Sequence, residues 1–285
     1  MHKKKMLLIL GGLRIGDTFH IIPFLRQACK EYHVHWIHGQ YATPAVEFIR
    51  DHIVGMDISN EARPELKSSI PVGYPDVKEF VMRNMQGIDI SEYDVALPPN
   101  SKSIHVNQWT PELACPKMTD TQFNIGQVNF DHKKDSIVTV RDFPSLKDHI
   151  VVQPTTVSSW KCSNELYSLN SDLFEGRTVY NVGAVSERPI TGSKVVIKNG
   201  ATFAEVAQLI LSARFTIALH SSVACLAYHL GVPFICVSFV AKDLFPFHKY
   251  RPNVVQLIKP TLPELQKCIR DFMQRPYMRI EEGTL

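Results

Sequence analysis

The chain has 285 residues, 45% of them hydrophobic and 21% charged, with a formal net charge of +3. That is the balance of a soluble globular protein with room for one large or two medium domains, and the charge gives no argument for nucleic acid by itself. No apolar stretch approaches the roughly 18–20 residues that span a bilayer.

Lys3, Lys4 and Lys5 precede an apolar run over residues 6–10 (MLLIL). The run is short for a signal peptide and no small-residue cleavage site follows, so it reads as a first strand buried on both faces, and a cytoplasmic protein is expected. Gly11-Gly12-Leu13-Arg14-Ile15-Gly16-Asp17 forms a loop, and a helix is predicted over residues 18–32. Residues 34–37 read as a second strand and 43–52 as a helix with Pro44 in its first turn. His33, His35 and His38 lie close together there. A strand puts His35 and His38 on opposite faces, so they read as surface or edge histidines and not as a metal site. A strand end is expected at Asp94-Val-Ala-Leu, while residues 60–92 and 100–135 carry little pattern and suit binding loops.

A second alternating section begins near His149. Strands are predicted over residues 150–153, 178–182 and 195–197. Thr202 with Glu205 makes a capping box for a helix over 203–213. The stretch 215–239 then reads as strand, short polar loop (His220-Ser221-Ser222), apolar helix and strand. A last strand over 253–258 leads to Thr261 and Glu264, which cap a helix over 262–274 with Leu265, Cys268, Ile269, Phe272 and Met273 on one face. The six cysteines include no C-x-x-C pair, so neither structural zinc nor a thioredoxin-type site is expected; several read as small buried thiols.

Strands alternating with helices imply α/β architecture with parallel sheets. Two such sections imply two doubly wound, Rossmann-like domains facing a central cleft. The expected division is residues 1–142, residues 143–260, and a C-terminal helix over 261–285 packing back toward the first domain. Ligands in such sheets sit at the C-terminal ends of the strands.

Four junctions after strands carry candidate chemistry. At the first, Asp17 either caps a helix or acts as a general base on an acceptor hydroxyl. The spacing fits neither G-x-G-x-x-G nor a P-loop. At the second, Thr155, Thr156 and Lys161 offer hydroxyls and an ammonium to a diphosphate, or form a solvated loop. At the third, Glu187 either accepts both hydroxyls of a ribose or is a surface glutamate. At the fourth, Ser221 and Ser222 stand where a strand end meets a helix N-terminus, a natural phosphate seat. His220 beside them either touches phosphate or sugar or is a buried, satisfied histidine.

The four junctions, in this order and spacing, resemble the heptosyltransferases of glycosyltransferase family 9, which have the two-domain GT-B fold. Arg14-Ile15-Gly16-Asp17-Thr18-Phe19-His20-Ile21-Ile22-Pro23 is similar to the family's N-terminal motif. The resemblance implies that Asp17 is the catalytic base and places Arg14 on the acceptor side. Thr155, Thr156 and Lys161 resemble the phosphate-binding segment, Glu187 the ribose-binding glutamate, and Gly200-Ala201-Thr202 the segment against the nucleobase, with Ala201 replacing a larger residue. The fourth motif departs from the family's Asp-Ser/Thr-Gly-x-x-His, reading His220-Ser221-Ser222-Val223-Ala224-Cys225. In the family that Asp contacts the donor sugar, so His220 implies a donor other than ADP-heptose.

The reaction implied is inverting, metal-independent transfer of a sugar from a nucleotide diphosphate-sugar, as substrate and not cofactor, to an acceptor hydroxyl. No D-x-D metal motif is present. The acceptor by resemblance is a lipopolysaccharide or surface glycan, with peripheral membrane contact. A phage-type enzyme modifying hydroxymethylated DNA bases is the alternative, with Arg63, Lys67, Lys78, Arg83 and Lys102 available to phosphates. A non-catalytic nucleotide-sugar-binding protein and a sugar-nucleotide epimerase are the others.

Overall fold

The structure is a computed structural model and describes residues 3–10, 15–64, 66, 85–97, 122–125, 128–131, 134–141, 145–155, 164–239, 247 and 251–282; of Leu10, Asp17, 122–125 and Asn164 it describes the backbone alone. The chain forms two compact units, Met1–Arg141 and Asp142–Thr284.

The N-terminal unit carries a parallel four-stranded sheet in the order β3-β2-β1-β4. Its strands are β1 (Lys4–Leu10), β2 (Tyr32–His38), β3 (Ile58–Ala62) and β4 (Val95–Leu97). Met6, Leu7, Leu8 and Ile9 are fully buried, as a continuous apolar run in a central parallel strand requires. The helix expected over residues 18–32 is two helices, α1 (Ile15–Phe19) and α2 (Ile22–Glu31). Pro23 explains the break. It has no N–H to donate and its ring disfavours the helical conformation before it, so it sits in the first turn of a new helix. Helix α3 (Thr43–His52) starts with Pro44 as expected and buries Ala45, Val46, Phe48 and Ile49. Strand β3 and an antiparallel hairpin, β5 (Gln122–Ile125) with β6 (Val128–Asp131), emerge from the sequence that carried little pattern.

Strand β2 is interior to the sheet, between β1 and β3, with His33 and His35 partly exposed and His38 buried. His33 Nδ1 meets Asp57 Oδ1 at 2.7 Å and its Nε2 meets Ser59 Oγ at 3.0 Å. His35 stacks on Tyr93 and bonds its hydroxyl. His38 is fully buried and donates from Nδ1 to the Gly39 carbonyl at 3.0 Å. Cys29, Cys225 and Cys236 are buried, and burial pushes the Cys29 thiol up to about 11.

The C-terminal unit is built on a parallel six-stranded sheet, order β12-β11-β10-β7-β8-β9. The strands are β7 (Ile150–Gln153), β8 (Val179–Asn181), β9 (Val195–Ile197), β10 (Phe215–Leu219), β11 (Phe234–Ser238) and β12 (Val254–Ile258). The unit's first strand thus lies between its second and its fourth, the arrangement of a dinucleotide-fold sheet. The strand order reverses between β7 and β10. Its helices are α4 (Asn164–Tyr167), α5 (Phe203–Ser212), α6 (Ser222–His229) and α7 (Leu262–Met273). Both expected capping boxes form, on Thr202 with Glu205 and on Thr261 with Glu264. The apolar face of α7 that the sequence sends toward the N-terminal domain is taken up by this unit's own core. Leu265, Ile269, Phe272 and Met273 pack with Ile150, Val152, Phe215 and Ile217.

Candidate donor site

Sheet order fixes where the site lies in the C-terminal unit. The described residues leaving the C-terminal ends of β7, β8, β9 and β10 stand at and beside the reversal point, where sheets of this kind bind ligands because adjacent connections run to opposite faces. Thr155 leaves β7, Glu187 leaves β8, Ala201 leaves β9, and His220, Ser221 and Ser222 leave β10.

Thr155 and Glu187 are brought together. Thr155 is 2% exposed and its Oγ1 donates to Glu187 Oε2, a contact of two groups 32 residues apart. The carboxylate reaches it by lying across the Cα of Gly183, where a Cβ would collide with Oε2. The loop is closed by backbone bonds, Glu187 N–H to Ala184 O at 3.0 Å and Gly200 N–H to Gly183 O at 2.7 Å. Gly200 has φ +81°, and a Cβ there would meet Val185 Cγ2 at 2.6 Å, so the β8 and β9 loops approach through glycine. Ala201, one residue on, is half-buried beside that contact.

At the reversal point, Ser221 Oγ donates to Gln153 Oε1, tying the end of β7 to the loop after β10. Ser221 is the N-cap of α6, yet its hydroxyl makes no capping bond. Spending that hydroxyl on Gln153 leaves the first-turn N–H groups of α6, with Ser222 at their head, without a side-chain cap. The positive end of the helix dipole lies there as well.

His220 is buried at the C-terminal end of β10. It is 3% exposed, its N–H donates to Val237 O at 3.0 Å, and its ring lies 5.2 Å from that of Phe247. Phe247 also packs on Tyr228 and Phe234. The guanidinium of Arg251, 1% exposed, lies 4.6 Å from the Tyr228 ring centre. The loop therefore rests on an aromatic floor.

Among the remaining candidates, Asp17 lies in the five-residue helix α1, which follows β1 where the N-terminal sheet reverses between β1 and β4. Arg14, Thr156 and Lys161 lie outside the described residues, as do Lys67, Lys78, Arg83 and Lys102. Arg63 Nε is paired with Glu61 Oε1 at 2.6 Å. Among the described residues no cluster of three or more His, Cys, Asp or Glu could hold a metal, and no helix is long and apolar enough to cross a membrane.

Sequence reasoning missed Gln153, Asn181 and Asn199, which tie these loops together. A signal was present: IVVQ and VYN each end an apolar strand on an amide, which a buried strand end tolerates only if the amide is bonded.

No protein-family model and no curated protein sequence matches the chain. Its fold matches solved structures of glycosyltransferases. The Escherichia coli heptosyltransferase WaaC with ADP aligns at 14% identity and TM-score 0.58, over 94% of this chain and 99% of that one. A glycosyltransferase family 9 protein from Veillonella parvula aligns at 14% identity and TM-score 0.52, over 99% and 91%. E. coli ADP-heptose lps heptosyltransferase II aligns at 12% identity and TM-score 0.53, over 94% and 98%. The fold is thus that of GT-B glycosyltransferases, and the likeness in fold extends over nearly the whole chain.

Proposed function

We propose that the protein is a glycosyltransferase that seats a nucleotide diphosphate-sugar at the strand ends of its C-terminal unit. The observation that carries this is the uncapped N-terminus of α6 at the reversal of the sheet, with the Ser221 hydroxyl drawn away to Gln153. An anion bound there receives backbone N–H donors and the helix dipole together. Glu187, one strand over from β7, is suited to accept the two hydroxyls of a ribose, with the base against Ala201. Thr156 and Lys161, on the segment that leaves β7, would add a hydroxyl and an ammonium to the diphosphate. His220 serves through its backbone and as part of the floor, which separates this loop chemically from one bearing a carboxylate. The fold's match to enzymes solved with ADP or named for ADP-heptose supports this reading over a DNA-modifying one.

Asp17, on the segment following β1, would take the proton from the acceptor hydroxyl as it attacks the anomeric carbon. A single displacement inverts that centre, and the departing diphosphate is stabilised by the α6 amides and the cation instead of a metal. The acceptor class that fits the fold match is a surface glycan presented at the cytoplasmic face of a membrane.

The test is a thermal-shift panel of ADP-, UDP-, GDP- and CMP-sugars. A ligand present at about 100 times its Kd adds about 2.7 kcal/mol and a visible rise in melting temperature. With the donor identified, Asp17→Asn is expected to lower turnover by about 10²–10⁴-fold while donor binding persists. Full turnover in that variant would remove Asp17 from the mechanism. Donor turnover without any acceptor would point to an epimerase instead.

A further inference from the structure

The loops after β8 and β9 are joined by a relay of amides. Asn181, the last residue of β8, is fully buried. Its Oδ1 accepts the Ile190 N–H at 3.1 Å and its Nδ2 donates to Asn199 Oδ1 at 2.9 Å. Asn199 Nδ2 in turn donates to the Glu187 carbonyl at 2.7 Å. One backbone N–H settles the orientation of the whole relay. Because Ile190 N–H needs an acceptor, Asn181 must turn its oxygen there and its NH₂ toward Asn199. Asn199 must then present its oxygen to Asn181 and its NH₂ to Glu187. Lys198 N–H closes the same strand end by donating to Asn181 O at 2.8 Å.

The residue whose carbonyl Asn199 holds is the residue whose carboxylate lies across Gly183 against Thr155. The Glu187 backbone is fixed from the β9 side by Asn199 and from its own loop by the Ala184 carbonyl. A side chain required to accept two vicinal hydroxyls must be placed to within about 0.5 Å, which a loop achieves only when such bonds fix its backbone. Resting on the reading that Glu187 binds the donor ribose, we infer that Asn199 is a positioning residue. It acts on the nucleotide only through Glu187, and Asn181 sets its orientation from the core. The ribose-dependent part of donor affinity is therefore stored in an amide that touches no substrate.

Asn199→Asp tests this cleanly. The aspartate keeps an oxygen for Asn181 Nδ2, so the buried amide stays bonded, but sets a second oxygen against the Glu187 carbonyl. Affinity is measured for ADP, GDP, UDP and CDP and for their 2′-deoxy counterparts, in the full-length protein. The expected result is about a tenfold loss for the bound ribonucleoside diphosphate, the size of a lost hydrogen bond. A smaller loss is expected for its 2′-deoxy form, which keeps only the 3′ hydroxyl for Glu187 and whose binding also reports that the variant is folded. In a Glu187→Ala background, Asn199→Asp should add nothing, as expected of residues acting in series. Equal losses for ribo and deoxy forms, additive losses in the double variant, or no loss at all overturn the positioning role. If Glu187→Ala itself leaves affinity unchanged, or none of the diphosphates binds, it is the ribose reading that fails, and the relay is then structural only.

Discussion

The two ends of the C-terminal sheet are built on opposite plans. At the C-terminal ends of the strands, polar side chains bond to one another: Thr155 to Glu187, Ser221 to Gln153, Asn181 to Asn199. At the N-terminal ends, apolar side chains close over the sheet. Phe215 and Phe272 meet edge to face at 5.1 Å beside a cavity of about 150 Å³ lined also by Pro233, Pro252 and Tyr277. The more buried polar groups at that end serve the backbone, while Arg177 Nε pairs at the surface with Asp148 Oδ2 at 3.0 Å. Arg214 Nη2 donates to Met273 O at 2.8 Å and Arg275 O at 3.3 Å, where α7 ends, and Asn253 Nδ2 donates to Gly231 O at 3.0 Å and Met278 O at 2.9 Å. A bond between two side chains can be traded for a bond to a ligand, whereas a bond that satisfies a buried carbonyl cannot be given up without cost. The difference assigns exchange of partners to one end and stability to the other, within a single sheet.

The largest expected effect falls on the apolar end. Phe272→Ala removes a ring 5% exposed from the core that holds α7 to the sheet, next to an existing cavity. A loss of about 3–5 kcal/mol in unfolding free energy is expected by denaturant titration, with nucleotide affinity of the folded fraction unchanged. A change in nucleotide affinity there would break the division between the two ends.

Gly183→Ala should do the reverse. Its Cβ meets the far end of a flexible side chain, so the carboxylate of Glu187 swings away and the fold absorbs the change within about 1 kcal/mol. Nucleotide affinity is expected to fall by about tenfold or more, because the carboxylate can no longer lie in its place. Unaltered affinity, read by isothermal titration, would mean that Glu187 does not bind from this position. Thr155→Val is milder. It leaves the Glu187 carboxylate without its hydroxyl, but Glu187 is partly exposed and can turn to water. About 1 kcal/mol of stability is expected to be lost.

This contrast also explains what the sequence revealed and what it withheld. Two strands of the C-terminal unit were legible because a strand buried on both faces is written as an unbroken apolar run: residues 150–153 and 215–219 carry the predicted bounds, as does the exposed edge strand over 195–197, read from its β-branched residues. The capping boxes were legible because both partners lie within one turn. The break between α1 and α2 rests on Pro23, which stands six residues into the expected helix, beyond the first turn that tolerates proline, so the break was legible there. Strand β3, with only Ile58 buried, has no alternation to betray it. The site shows the same division. Thr155, Glu187 and Ser221 could be named from their positions after strands, but their partners lie 32 and 68 residues away and depend on strand order. Strand order is a tertiary choice that no local pattern records.

The smallest effect concerns pH, and it returns to the N-terminal ends of the strands. His149 precedes β7, is 5% exposed, donates from Nε2 to Leu209 O at 2.9 Å and meets the Tyr180 ring edge to face at 4.9 Å. Burial holds its protonated form below the ordinary histidine range, with the Lys147 charge adding in the same direction. The folded protein therefore keeps this ring neutral in a window where the unfolded chain, with an ordinary pKa of about 6.5, takes up a proton. More protons bound in the unfolded state means that stability rises with pH across that window, and is lost as pH falls from about 6.5 toward the lowered folded value. Below that value the dependence on this group vanishes. Buried His38 contributes in the same sense from the other unit. His149→Gln keeps a donor for the Leu209 carbonyl and cannot protonate, so melting temperature measured between pH 5 and 8 should fall less steeply toward acid than in the parent. The two proteins should differ little at pH 8, and nucleotide binding should not follow the difference. An acid loss of nucleotide affinity that tracked His149 would couple the two ends of the sheet through β7.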